Sequence, residues 1–211
     1  MPALTARRGA LPFAAAGVLF VLYPVLRPWA DQEPAGMPAA FASPAWPIAH
    51  LSAVAGFVLV GFGLLAVRDR FPGRAARAAL GLWAVGAAMT IAYYGAETFA
   101  LSALSGQPGL PALADAVRMG TVQMAVFGVG LIALAVAAVV LVAVLRAPAV
   151  PFALGMVLFL PQFFTEPPVR IAHGVLLGAG CLLLAAQAWA SATSVGNTGG
   201  VATRAASARS R

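Results

Sequence analysis

The sequence predicts an all-α fold: a polytopic integral membrane bundle of six transmembrane helices. Three observations carry this. Of 211 residues, 62% are hydrophobic and 9% charged, where a soluble domain carries about 25% charged residues. The mean hydropathy of +0.92 is far too apolar for a disordered chain. The apolar residues also fall into runs of membrane-crossing length, and at about 20 residues per crossing the chain holds about six helices and little else.

The first run, 11–26, follows Arg7 and Arg8 as the core of a signal peptide would. Five further runs come after it, and Pro24, Arg27 and Trp29 close it like an interfacial helix end, so it reads as a retained first helix. The second run is 46–67, thinned by Gly56, Gly61 and Gly63. The third is 78–104, the fourth 119–145, and the fifth, 150–164, is short. The sixth, 168–189, carries Gly174 and Gly178 at the spacing that lets helix backbones approach in lipid. Residues 1–190 thus form the transmembrane domain. The Ser-, Gly- and Arg-rich residues 191–211 read as a disordered cytoplasmic tail.

Charge sets the orientation. All 13 basic residues are arginine, and the net charge is +7. With the N-terminus inside, Arg7, Arg8, Arg68, Arg70, Arg74, Arg77, Arg146, Arg204, Arg209 and Arg211 fall on the inner side. Only Arg27, Arg118 and Arg170 fall outside, so the positive-inside bias places both termini in the cytoplasm. The arginines mark topology, and no basic patch with stacking aromatics points to nucleic acid. Cys181 stands alone, which excludes an intrachain disulfide. Usage rich in Ala, Arg and Gly without Lys is that of a GC-rich bacterial genome, so the expected location is a bacterial inner membrane.

The chemistry-bearing residues are those that do not belong in hydrocarbon. Glu97 lies inside the third run, in Tyr93-Tyr94-Gly95-Ala96-Glu97-Thr98-Phe99. An ionisable group at that depth costs about 2.5–3.5 kcal/mol on insertion scales, so it faces a partner or a cavity. Burial disfavours its charged form, which makes it a candidate proton donor. At about 1.5 Å per residue, His50, Gln123 and His173 sit at comparable depth below the outer ends of their runs, and Gln162 closes the fifth. Five runs therefore send polar groups to the outer third of the bundle, while the inner halves are almost wholly apolar.

Aromatic residues share that layer: Trp29, Trp46, Tyr93, Tyr94, Phe99, Phe163 and Phe164. Trp46 and His50 are four apart, as are Tyr93 and Glu97, and Glu166 and Arg170, so each pair shares a helix face. Glu166 and His50 are the candidate second proton-handling groups. Trp46, Tyr93, Tyr94, Phe99, Gln123, Gln162, Phe163, Arg170 and His173 are the candidate pocket wall. Each has a plainer reading: an interfacial aromatic belt, a surface ion pair for Glu166 and Arg170, or helix–helix hydrogen bonds for the histidines.

Several chemistries have no motif here. The sequence holds no Walker loop, GxGxxG after a strand, HExxH, GxSxG or aspartate-rich pair for magnesium diphosphate. A carboxylic acid among aromatic rings in a dry layer suits protonation of a lipid-soluble substrate, with the rings stabilising a carbocation.

In size, hydropathy, the Tyr93-Tyr94-x-x-Glu97 segment and the acid at Glu166, the chain resembles the small membrane-bound terpene cyclases of bacterial indole-terpenoid and fungal meroterpenoid pathways. Cyclisation and double-bond isomerisation of an isoprenoid-like substrate both need an acid among aromatic rings, and the resemblance implies cyclisation of a terminal isoprene or epoxide by protonation, with no metal; no cofactor is expected. Three other readings stay open, one of them a structural or accessory membrane protein whose polar cluster fixes helix packing. A proton-coupled transporter or channel would use Glu97 and His50 as relay groups. A haem or metal protein would use His50 and His173.

Overall fold

The computed structural model describes residues 2–68 and 73–208, with side chains over 9–68 and 73–190. The tail expected from Ser191 onward lies outside the described side chains. All regular structure among the described residues is helical: α1 (Pro2–Leu26), α2 (Met37–Ala42), α3 (Ala45–Val67), α4 (Arg74–Leu104), α5 (Leu110–Met119), α6 (Thr121–Leu145), α7 (Val150–Gln162) and α8 (Pro167–Ala208). Single 3-10 turns occupy Trp29–Gln32 and Ala147–Ala149.

Five helical segments are long and apolar enough to cross a membrane: Gly9–Leu26, Ala45–Val67, Arg74–Leu104, Thr121–Leu145 and Pro167–Ala190. Helix α7 has 13 residues, about 20 Å of helix against a hydrocarbon core of about 30 Å. The multi-pass membrane fold is therefore plain, and the expected fifth crossing is a helix about two-thirds as long as the hydrocarbon core is thick. The cause is local: Pro148 and Pro151 start the segment late, and Pro161 lies in its last turn.

The long helices close into a ring. Helix α1 packs between α3 and α8, α3 continues to α4, α4 to α6, and α7 bridges α6 and α8. Hydrophobicity does not drive association in lipid, so close backbone approach and packing must. Helices α1 and α8 cross at Gly17 and Gly178, where a Cβ on Gly178 would stand 3.0 Å from the Gly17 carbonyl oxygen. Helices α7 and α8 meet at Gly180, where a Cβ would stand 2.5 Å from Phe152 Cα. Phe57 fills the ring's centre, with Phe20, Phe159, Tyr94 and Trp83 around it at centroid distances of 5.2, 5.7, 6.2 and 6.3 Å. The Trp83 indole N–H donates to the Phe57 carbonyl at 3.1 Å. Val18, Phe62, Val85, Ile132 and Leu182 face outward, as lipid-facing residues must.

Two short helices cap one end. Phe41 of α2, Leu110 and Ala114 of α5, Trp46 of α3 and Leu101 of α4 form a small separate core there. Gly109, with φ of 73°, takes the left-handed conformation that turns the chain into α5. The other end carries Arg68, Arg74, Arg77 and Arg146 at helix termini. The cap therefore lies over the polar layer, at the end opposite these arginines.

Candidate functional site: a buried charge cluster under the cap

Each member of the cluster comes from a different stretch of chain. Arg27 follows the last residue of α1, and Asp31 sits one turn on in the 3-10 turn, four residues away. Arg27 Nη2 donates to Asp31 Oδ2 at 2.7 Å. Arg118, in the last turn of α5, donates from Nη2 to that same oxygen at 2.6 Å. Its Nε donates to Glu97 Oε1 of α4 at 2.9 Å. Glu97 Oε2 in turn lies 3.8 Å from His50 Nε2 of α3. Asp31, His50 and Glu97 are buried to 1%, 0% and 1% exposure, so partners must replace the water these groups have lost.

Aromatic rings wall the cluster. The Trp46 and His50 ring centroids are 4.1 Å apart, and Tyr23 and Tyr94 flank His50 at 5.5 and 5.8 Å. Trp46 lies between two guanidiniums, Arg27 at 5.2 Å and Arg118 at 5.5 Å from its centroid. Trp29 likewise lies between Arg27 at 4.9 Å and Arg170 at 5.0 Å. A cation over an indole face is stabilised most where both are desolvated. Arg27 Nη1 also donates to the Tyr23 hydroxyl at 3.1 Å, and Tyr93 donates to the Arg118 carbonyl at 3.2 Å.

The charges outside the membrane-spanning helices respond as this geometry requires. Burial pushes the Asp31 carboxyl up, but Arg27 and Arg118 outweigh it and hold it below its ordinary value. Burial pulls Arg27 down, and Tyr23, Glu97 and Asp31 more than reverse that. Both groups stay charged at neutral pH.

One gap in the hydrogen bonding stands out. His50 Nδ1 is 2.8 Å from the Trp46 carbonyl oxygen. A carbonyl only accepts, so Nδ1 carries the hydrogen and neutral His50 turns the Nε2 lone pair toward Glu97. A lone pair thus faces a carboxylate oxygen at 3.8 Å. His50 Nε2, Trp46 Nε1, Asp31 Oδ1 and Arg27 Nε are all buried without a hydrogen-bond partner among the described residues. An added proton on His50 or Glu97 would complete the pair.

The structure gathers some of the expected residues and separates others. Glu97, His50, Trp46, Tyr93 and Tyr94 meet in one cluster. Gln162, Phe163, Arg170 and His173 form a neighbouring group on α7 and α8. There Arg170 Nε donates to Gln162 Oε1 at 3.3 Å and lies over the Phe163 ring at 5.0 Å. His173 Nε2 donates to the Gly155 carbonyl at 2.7 Å, so the two histidines serve different carbonyls on different helices. Gln123 stands apart, tying α6 to the Ala116 carbonyl of α5 at 3.3 Å. Phe99 is 61% exposed and belongs to the outer surface of α4 rather than to a pocket wall. Glu166 is exposed and forms no ion pair among the described residues, because Arg170 turns inward to Gln162 and the rings. Glu97 is not a free acid; it is a carboxylate held by Arg118.

Sequence reasoning missed Arg27, Asp31, Arg118 and Tyr23. The signal was present: Arg27, Arg118 and Arg170 are the three arginines on the side that the positive-inside bias disfavours, and all three enter the polar layer. The cavity reaching this layer, lined by Tyr23, Gln162, Arg170 and His173 among others, has a volume of about 10 Å³, room for one water at most. No group of three or more metal-ligating side chains occurs among the described residues. The chain matches no family model, no curated protein and no solved structure.

Proposed function

We propose that this protein is a proton-coupled membrane transporter of the bacterial inner membrane whose outer gate is the Arg27–Asp31–Arg118–Glu97–His50 cluster. In this reading the chain crosses six times, with α7 as the fifth crossing and both termini cytoplasmic. The His50–Glu97 pair binds the proton, and the arginine–carboxylate contacts tie α1, the 3-10 turn, α5 and α4 across the outer end. A proton on the pair changes the charge that Arg118 meets and so loosens one tie of the gate.

The observation that carries this reading is the lone pair of His50 Nε2 facing Glu97 Oε2 at 3.8 Å. A buried pair lacking one proton is a proton-binding site, and a proton relay is one of the established uses of ionisable residues inside a membrane bundle. The test is proton uptake by the purified protein as the solution is acidified from neutral pH. It is read by infrared difference spectroscopy. Wild type takes up a proton that His50→Gln and Glu97→Gln do not, and dye-loaded proteoliposomes carry a proton flux that both variants lose. A titration unchanged in both variants removes the reading.

A second reading keeps the protonation-initiated conversion of an isoprenoid-like substrate, without metal. The aromatic wall around His50 favours it, since Trp46, Tyr23 and Tyr94 could stabilise a cation. It requires a chamber of several hundred Å³ to open at a layer that holds about 10 Å³. Turnover of a farnesylated aromatic substrate to a product of unchanged mass, in wild type alone, would favour it over transport.

A further inference from the structure

A wide, open groove lies away from the charge cluster, on the lipid-facing side of the α6–α7 hairpin. It has a volume of about 730 Å³, within the range of about 300–1,000 Å³ typical of small-molecule sites. Ala143, Ala147 and Ala153 make its floor shallow in side-chain bulk, and Val139, Leu154 and Val157 wall it. Its one charged lining residue is Arg146, at the arginine-rich end of the bundle.

Arg146 is held in an unusual pose. Its φ and ψ are 65° and −150°, a combination ordinarily left to glycine. Two backbone hydrogen bonds fix it there: Arg146 N–H to the Val142 carbonyl at 2.8 Å, and Ala149 N–H to the Arg146 carbonyl at 3.0 Å. The helix therefore ends in a fixed direction, and the exposed guanidinium stands at the groove mouth with no ion pair among the described residues.

We infer that this groove is a binding site for one anionic phospholipid, with an acyl chain along the alanine floor and the headgroup phosphate on Arg146. Charge selects the occupant. A second copy inserted in the same orientation would bring Arg68, Arg74, Arg77 and Arg146 to this level. Its acids Asp31, Glu33, Glu97, Asp115 and Glu166 lie toward the opposite end, and Asp69 lies outside the described residues. An arginine at the membrane surface attracts an anionic headgroup, and its planar fork matches phosphate oxygens. The wholly apolar remainder of the lining suits hydrocarbon.

The test is lipid retention by the intact protein, read by native mass spectrometry with phosphatidylglycerol or phosphatidylcholine added to the detergent. Wild type should retain one phosphatidylglycerol about fivefold more tightly than phosphatidylcholine. Arg146→Gln should abolish that preference and Arg146→Lys should keep most of it. Ala143→Leu, which fills the groove from an exposed position, should lower retention of both lipids. Equal retention of the two lipids by wild type, or a preference that survives Arg146→Gln, overturns the assignment. So does a particle of two chains that Ala143→Leu converts to one, which would make the occupant a second copy.

Discussion

Arg118 Nε stands 2.9 Å from Glu97 Oε1, joining a helix of the cap to an acid buried within the bundle. The same guanidinium also serves Asp31, so a single side chain contacts two buried carboxylates, sharing one of them with Arg27. Removing it exposes the cost of both.

Arg118→Gln should therefore destabilise the protein by about 3 kcal/mol, the lower end for breaking a buried pair because Arg118 keeps some exposure. Thermal unfolding in detergent reads this directly. The double variant Arg118→Gln/Glu97→Gln should be more stable than the two single losses added together, by at least about 1 kcal/mol. Strict additivity would show that the contact carries no energy.

The acid limb of stability belongs to Asp31. Its native carboxyl is held below the ordinary value of 3.8, so its contribution is fully present above about pH 4 and is lost as pH falls through the lower native value. The unfolding temperature should decline with acid below about pH 4. Asp31→Asn should be less stable at neutral pH and show a flatter acid decline; equal slopes in both proteins would contradict the assignment.

Two glycine positions in the bundle should respond in opposite directions. Gly180→Ala places a methyl against the Phe152 backbone, which cannot step aside without moving α7, and should lower stability by about 1–3 kcal/mol. Gly95 on α4 has nothing within 4 Å of an added Cβ. Gly95→Ala should raise stability by about 0.5–1 kcal/mol through helix propensity alone. Melting curves of the pair check the crossing of α7 and α8 independently of any function.

Aromatic residues of the expected pocket wall should also divide. Tyr94→Ala opens a hole beside His50 and Phe57 and should cost about 3–5 kcal/mol. Phe99→Ala, on the exposed face of α4, should fall within about 0.5 kcal/mol of wild type. Similar losses in both would mean that Phe99 is covered by something beyond this chain.

Much of this architecture was legible because lipid leaves few choices. Apolar runs gave the helices, and the depth of Glu97 and His50 within their runs brought them to one level, where they meet. Helix α7 was legible as a short run, but its shortness follows from prolines whose effect on a crossing is not a matter of hydropathy. Phe99 and Glu166 were misplaced for a different reason. Spacing names the shared face of a helix, but only the neighbours decide whether that face looks inward. Arg27, Arg118 and Asp31 were hidden by their position between the apolar runs, where charge is ordinarily solvated. Their partners come from distant segments, Arg118 and Asp31 being 87 residues apart, and no local pattern encodes such a contact.

The brevity of α7 has a consequence for the membrane itself. A helix of about 20 Å beside neighbours of full length gives the protein one flank thinner than the others. The bilayer must dimple along that flank or the protein must tilt toward it, at fractions of a kcal/mol per Å of mismatch. The protein should therefore favour membranes of shorter-chain lipids, and within one membrane it should gather with other thin-walled proteins on its α7 side.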